Sequence, residues 1–239
     1  MNPAHLSSGV GSLFPAGAVA AELRGAADPA LLLPEERVNL GRAVASRVSE
    51  FTAGRLCARR ALAEFGIVDI PVRPGSDRQP EWPESMAGSI THTAEYCAAV
   101  VAQRRSAAAL GLDSEVVGDV KPEIWSRICV AQERDWVGSL PASEQAAAVT
   151  LIFAAKEAFY KCQYPVARER LNFPDARIEV LGWGGTGGML DIHATRSLAL
   201  AAHTRLPLRG RYLFQEERVS VGVALAGTSG PSGASAVGQ

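Results

Sequence analysis

No two of the four cysteines are spaced as C-x-x-C, and Cys57, Cys97, Cys129 and Cys162 do not sit beside histidines at zinc-ligand spacing. Three of them lie inside apolar or helical patterns. Reduced, mostly buried thiols are therefore expected, in a reducing, cytoplasmic compartment. No uninterrupted apolar run approaches the length that crosses a membrane. No Lys or Arg precedes Arg24, and Pro15 and several glycines break the early apolar stretch, so no signal peptide is expected. A formal net charge of -1 provides no general basic surface for nucleic acid or for a membrane. Any bound anion must be held by local clusters of Arg and Lys. No internal repeat is visible. What is present is a chain of 239 residues, 47% hydrophobic, enough for one large domain or two small ones.

Along the chain, Met1 to Ser12 reads as a loose arm and Ala18 to Leu23 as a strand. Pro34 and Glu35-Glu36 suit a helix start. The apolar positions Val38, Val44, Val48, Phe51, Leu56, Ala58 and Leu62 continue at helical spacing, with Gly41 and Gly54 as weak points that can split the helix in two. Gly66 is a stop. Val72 to Ser85 is proline-rich loop. Ser89 to Thr93 and Tyr96 to Ala102 form a hairpin, and the polar break Gln103-Arg104-Arg105-Ser106 marks a domain junction. Beyond it come a strand at Ala107 to Asp113 and helices at Pro122 to Ile128 and Val130 to Val137. A long helix from Ser143 to Gln163 then presents Val149, Ile152, Phe153 and Tyr160 on its apolar side and is ended by Pro165. Four strands follow: Arg177 to Leu181, Met189 to His193, Arg211 to Gln215 and Val219 to Ala226. Gly182 to Gly188 lacks the closing Gly-Lys-Ser/Thr of a phosphate loop and reads as a hairpin connection. The predicted fold class is α+β. The predicted units are 1–105 and 106–227, with a disordered Gly/Ser/Ala-rich tail at 228–239.

Two stretches carry chemistry. In Gly111-Leu112-Asp113-Ser114-Glu115, a strand puts both carboxylates on one face. In Phe153-Ala154-Ala155-Lys156-Glu157-Ala158-Phe159-Tyr160-Lys161, a helix puts Glu157 and Lys161 one turn apart on one face. Three carboxylates and two lysines that converge would suit a magnesium-bound pyrophosphate, with hard oxygens for the metal and cations for the phosphates. Taken singly, these groups read as a solvated strand end and an ordinary helix ion pair worth about 0.3–0.5 kcal/mol.

With these stretches, the chain carries Arg47 with Glu50-Phe51, then Gly54-Arg55-Leu56-Cys57-Ala58-Arg59. Next come Arg78-Gln79-Pro80 with Trp82-Pro83, and Gly88-Ser89-Ile90-Thr91-His92-Thr93. This ordered set, over about residues 34 to 180, resembles the 4′-phosphopantetheinyl transferase superfamily, in the Sfp-type branch that includes the enterobactin-synthetase-activating enzymes. The resemblance implies two similar α/β halves in pseudo-twofold arrangement with the active site in the cleft between them. It implies transfer of the phosphopantetheine arm of coenzyme A, the co-substrate, to a serine of an acyl-carrier or peptidyl-carrier protein domain. Adenosine 3′,5′-bisphosphate is released, Mg2+ (or Mn2+) is required, and the enzyme is a monomer.

By the same resemblance, Asp113, Glu115 and Glu157 are the metal ligands. Lys156 contacts the phosphates, Lys161 helps the leaving group, and Glu157, directly or through a water, takes the serine proton. Arg47, Arg55, Arg78 and His92 grip coenzyme A, above all its 3′-phosphate, because a guanidinium fork bonds phosphate oxygens in pairs. Arg59 and Arg60 read as surface residues. Phe153, Tyr160, Leu171 and Phe173 either line a channel for the pantetheine arm or belong to the core. Trp125, with Ile124 and Ile128, either docks a carrier helix or is core. The chain departs from the pattern at Ser114 between the acids, at Thr-His-Thr in place of Ser-His-Ser, and at Phe153 where some members have tryptophan. No departure removes a charge, so activity is expected. The served pathway stays open among fatty-acid, polyketide, siderophore and nonribosomal-peptide systems. The competing readings are a catalytically silent coenzyme A or nucleotide-binding module docked on a synthase, and a magnesium-dependent transferase with a small acceptor.

Overall fold

A computed structural model describes residues 9–37, 40–41, 44–93 and 95–227. The elements are β1 (Val19–Arg24), α1 (Ala45–Ala63), β2 (Met86–Thr93), β3 (Tyr96–Gln103), β4 (Ala107–Val116), α2 (Pro122–Ile128), α3 (Ala131–Ser139), α4 (Ala142–Ala167), β5 (Ala176–Leu181), β6 (Gly187–Ala194), β7 (Leu208–Gln215) and β8 (Arg218–Ala226). They build a mixed α/β protein with two antiparallel sheets, ordered β1-β3-β2 and β4-β8-β7-β6-β5. Among the described residues, no helix is long and apolar enough to cross a membrane.

The first sheet is covered on both faces, which explains why β3 reads as an unbroken apolar run and does not alternate. Cys97, Ala99 and Val101 meet Ala53, Cys57, Ala61 and Leu62 of α1. The alternate residues Tyr96, Ala98 and Val100 meet a third cluster with Val10, Leu13, Phe14, Leu110 and Leu112. That cluster forms the seam between the sheets. The N-terminal arm was predicted to be loose. From Gly9 onward it instead forms a short 3-10 turn whose Val10, Leu13 and Phe14 are buried in the seam, because three apolar side chains within five positions outweigh the glycines around them.

Of the two weak points, Gly41 lies in a turn ahead of α1, while Gly54 lies within a continuous α1. Gly54 is where α1 lies close to the sheet, since a Cβ there would stand 3.0 Å from Ile90 Cγ2. Gly66 does stop the helix, at φ 74, and the Ile67 N–H reaches back to the Leu62 carbonyl. Arg59, expected at the surface, forms an ion pair with Glu36, which is fully buried and whose other oxygen accepts from the Val72 N–H at 3.1 Å. Val38 and the tail at 228–239 lie outside the described residues.

Helix α4 is the spine of the second cluster. Leu151, Ile152, Ala155, Phe159 and Cys162 pack with Val219, Val221, Val223 and Leu225 of β8. Pro165 does not end it. The helix continues to Ala167 and closes at Arg168 in the left-handed region, φ 53. A proline in the final turn forfeits only one helical hydrogen bond, to the Lys161 carbonyl, and α4 is held by its packed face. Trp125 packs against this core and donates from Nε1 to the Val120 carbonyl at 2.9 Å, so it is not a free docking side chain. All four cysteines are buried and free.

Candidate active site

The two sheets meet edge to edge at β2 and β4. Ser89 Oγ accepts from the Leu112 N–H at 3.0 Å, and Thr91 Oγ1 accepts from the Ser114 N–H at 2.9 Å. The contacts step in the same direction along both strands, so β2 and β4 run parallel, joined by side-chain hydroxyls in place of main-chain carbonyls. Strand alternation turns Leu110 and Leu112 into the seam and sends Gly111, Asp113 and Glu115 towards α4. Ser114 points away and shares a hydrogen bond with Ser220 of β8 at 2.8 Å, so its departure from the family pattern leaves the acids untouched.

Helix α4 lies unusually close to β4 at Gly111. A Cβ there would overlap the Ala158 carbonyl and stand 2.8 Å from Cys162 Cβ. This approach brings Lys161 onto the acids. Its ammonium donates to Asp113 Oδ1 at 2.7 Å and to the carbonyls of Ile90 and Leu112, each at 3.2 Å. Asp113 is buried, and among the described residues its Oδ2 has no donor apart from the Glu115 carboxyl when that is protonated. Burial, then the Asp113 carboxylate, push Glu115 up to about 8, with Glu157 adding to the rise and Lys161 opposing it. Glu157 is raised by the same burial and by Asp113.

A cleft of about 1190 Å³ is lined by Arg47, Arg55, Arg78 and His92 together with Asp113, Glu115 and Lys161. Arg55 lies over the Phe51 ring at 4.1 Å, is pushed down to about 10 by burial, and has a buried Nε without a partner. A buried guanidinium so placed is short of an anion. Arg47 donates to His92 Nε2 at 2.8 Å, while His92 Nδ1 lies 3.8 Å from Glu50. Burial, then Arg47, hold His92 below the usual imidazole range, and a guanidinium, which can only donate, needs Nε2 as its acceptor. Arg78 sits in a tight turn at φ 67, closed by its own N–H to the Gly75 carbonyl at 2.9 Å. The adjoining Asp77 accepts from Tyr164 Oη of α4 at 2.7 Å.

Lys156 does not join these groups. Its ammonium is buried and donates to Glu133 Oε2 at 2.8 Å and to the Ile128 carbonyl at 2.7 Å. Glu133 also takes the N–H groups of Val130 and Ile178, both at 2.7 Å. In this structure Lys156 is paired with Glu133 and lines a smaller groove, apart from the large cleft. Sequence reasoning does not single out Glu133, one of two acids in a short, mixed-charge helix. Glu157 does not line the large cleft either. It lines a smaller groove of about 360 Å³ with Tyr160, Leu171 and Phe173, and Tyr160 borders both spaces. Phe153 stacks against Phe173 at 5.4 Å.

Among the described residues, no three His, Cys, Asp or Glu side chains stand ready-made as a metal cage. The donor set nonetheless fits a hard cation such as Mg2+, which takes one or two carboxylates together with waters and phosphates. Asp113 Oδ2, with no donor but the Glu115 carboxyl, and the raised Glu115 both mark an excess of negative charge. A carboxyl raised by folding keeps a proton that the unfolded chain has lost. Its contribution is therefore complete below 4.5 and fades as pH rises towards about 8. In EDTA, the melting temperature is expected to fall by about 3–5 °C between pH 5 and 8. Glu115→Gln should flatten that slope, and Mg2+ should restore more at pH 8 than at pH 6. A scanning-fluorimetry series in which Glu115→Gln keeps the full slope would reject this account.

A cleft lined by several arginines and by an acid–lysine cluster suits an enzyme that handles a phosphate-rich substrate. The family model for the 4′-phosphopantetheinyl transferase N-terminal domain matches residues 35–102, and that for the 4′-phosphopantetheinyl transferase superfamily matches residues 109–214. The 4′-phosphopantetheinyl transferase PptT of Mycobacterium tuberculosis is 35% identical over 197 residues, 81% of this chain and 86% of that protein. The corresponding transferase Svp of Streptomyces mobaraensis is 37% identical over 66% of this chain and 65% of its own length. Enterobactin synthase component D of Salmonella typhi is 37% identical over about half of each chain, 48% and 47%. The chain belongs to the 4′-phosphopantetheinyl transferase superfamily. It is a transferase that modifies carrier proteins with phosphopantetheine, and the family uses coenzyme A as substrate.

Proposed function

We propose that coenzyme A lies across the large cleft, with its 3′-phosphate at Arg47, Arg55, Arg78 and His92 and its diphosphate at Lys161 beside Asp113 and Glu115. The two halves, 1–105 and 106–227, then act as the pseudo-twofold pair of the family, each lending one end of the site. The pantetheine arm leaves along the smaller groove past Tyr160, Leu171 and Phe173. The carrier serine oxygen attacks the phosphorus next to the arm. The bond to the second phosphate breaks, and adenosine 3′,5′-bisphosphate departs with its new charge beside Lys161. Glu157, whose basicity burial and Asp113 raise, takes the serine proton directly or through a water. Asp113, Glu115 and Glu157 would hold Mg2+ or Mn2+, which when bound would neutralise charge on the diphosphate oxygens. The free, buried cysteines suit a cytoplasmic enzyme.

One observation carries this reading: the partnerless Arg55 and the Lys161–Asp113 pair face the same cleft from opposite halves. The test is incubation with coenzyme A, Mg2+ and a panel of apo carriers from fatty-acid, polyketide and nonribosomal-peptide systems. At least one carrier is expected to gain the mass of the phosphopantetheine arm. Binding of coenzyme A with no carrier modified would establish the silent binding module instead. Within that assay, Arg55→Ala is expected to raise KM for coenzyme A roughly tenfold or more, with a smaller change in kcat. An unchanged KM would remove Arg55 from the anion site.

A further inference from the structure

We infer that Thr91 is a positioning residue that orients the Asp113 carboxylate for a divalent cation; this rests on the metal reading proposed above. Thr91 is buried on β2, in the opposite half from Asp113. Its Oγ1 accepts from the Ser114 N–H at 2.9 Å and faces Asp113 Oδ1 at 3.4 Å. A hydroxyl that has accepted one N–H still has its own proton to give, and the Asp113 carboxylate is the acceptor beside it. Lys161 reaches the same Oδ1 at 2.7 Å. Both donors therefore meet on one oxygen, while among the described residues Oδ2 is buried with no donor but the Glu115 carboxyl, which gives up its proton when a cation binds. A carboxylate held through one oxygen by two donors from different elements cannot swing freely. Its second oxygen is thereby kept for another electropositive partner. The hydroxyl also fixes the height of β4 against β2, so one group sets both the register of the two edge strands and the orientation of the acid.

Ser89 supplies the contrast. It makes the same kind of stitch, to the Leu112 N–H at 3.0 Å, two residues earlier on β2, and no bond from it to Asp113 is present. Loss of a stitch alone should therefore be the same in both variants, and loss of acid orientation should be confined to Thr91.

The test is Mn2+ binding in the presence of coenzyme A, read from free Mn2+ by electron paramagnetic resonance, with melting temperatures recorded in parallel. Thr91→Val, which keeps shape and removes the hydroxyl, is expected to weaken Mn2+ binding about five- to tenfold. Thr91→Ser, which keeps the hydroxyl, should stay within about twofold of the unchanged protein. Ser89→Ala should lower the melting temperature and leave Mn2+ affinity where it was. Equal Mn2+ affinity in Thr91→Val and the unchanged protein would overturn the inference, as would equal weakening in Ser89→Ala. If Thr91→Val does not fold, a weakened Thr91→Ser is still enough to overturn it. If the unchanged protein binds no Mn2+, the metal reading itself fails, an outcome distinct from the others.

Discussion

Replacing Asp113 by alanine is expected to cut carrier modification by about a thousandfold while the protein stays folded. The main chain at this position is held by β8, where Asp113 lies opposite Val221. Lys161 keeps the carbonyls of Ile90 and Leu112 when the carboxylate is gone. The change also removes a like charge that raises both Glu115 and Glu157, so it relieves repulsion in the metal-free protein. The cleft-lining arginines are untouched, and calorimetric binding of coenzyme A should fall far less than turnover. That combination, chemistry lost with binding and folding largely kept, is what separates a functional acid from a structural one. Turnover near the starting level would remove the metal site, and with it the role assigned to this acid.

The second large effect is expected at Gly111, where alanine should cost about 3 kcal/mol of stability. A methyl group there overlaps the Ala158 carbonyl, which belongs to the rigid interior of α4 and cannot rotate aside as a side chain can. The helix must lift from β4, carrying Glu157 and Lys161 away from Asp113. Activity per folded molecule should therefore fall as well as stability. Gly138 in α3 is the control, since nothing stands within 4 Å of a Cβ there. Alanine at Gly138 should be neutral or slightly stabilising, because it favours the helix. Urea titrations of the two variants test this directly. A Gly111→Ala protein as stable as the original would show that the helix does not need so close an approach.

The strands and helices were legible because their signals are local. The apolar run Ala107 to Leu112, the hairpin at Ser89 to Ala102 and the long apolar helix are each marked by their own residues, and the structure places elements at each. Errors arose where a distant partner decides. Pro165 looked like an end because proline breaks isolated helices, yet the packing of α4 carried the chain two residues further. The early arm looked loose because it holds glycines, yet the seam it fills is made by residues from Ala20 to Leu112. Within the site, Arg47, Arg55, Arg78, His92, Asp113, Glu115 and Lys161 share one cleft, while Lys156 and Glu157 lie off it.

The order and spacing of charged residues by themselves determined the family and the candidate groups, because Asp113 and Glu115 must share a strand face and Glu157 and Lys161 a helix face whatever surrounds them. Only the tertiary structure decided which lysine lines the large cleft, because that depends on packing between distant segments. Lys156 and Lys161 stand on the same helix, but a buried Glu133 lies beside one and the open wall of the cleft beside the other. A side chain's environment is set by what packs against it, and those neighbours come from parts of the chain that no local pattern connects.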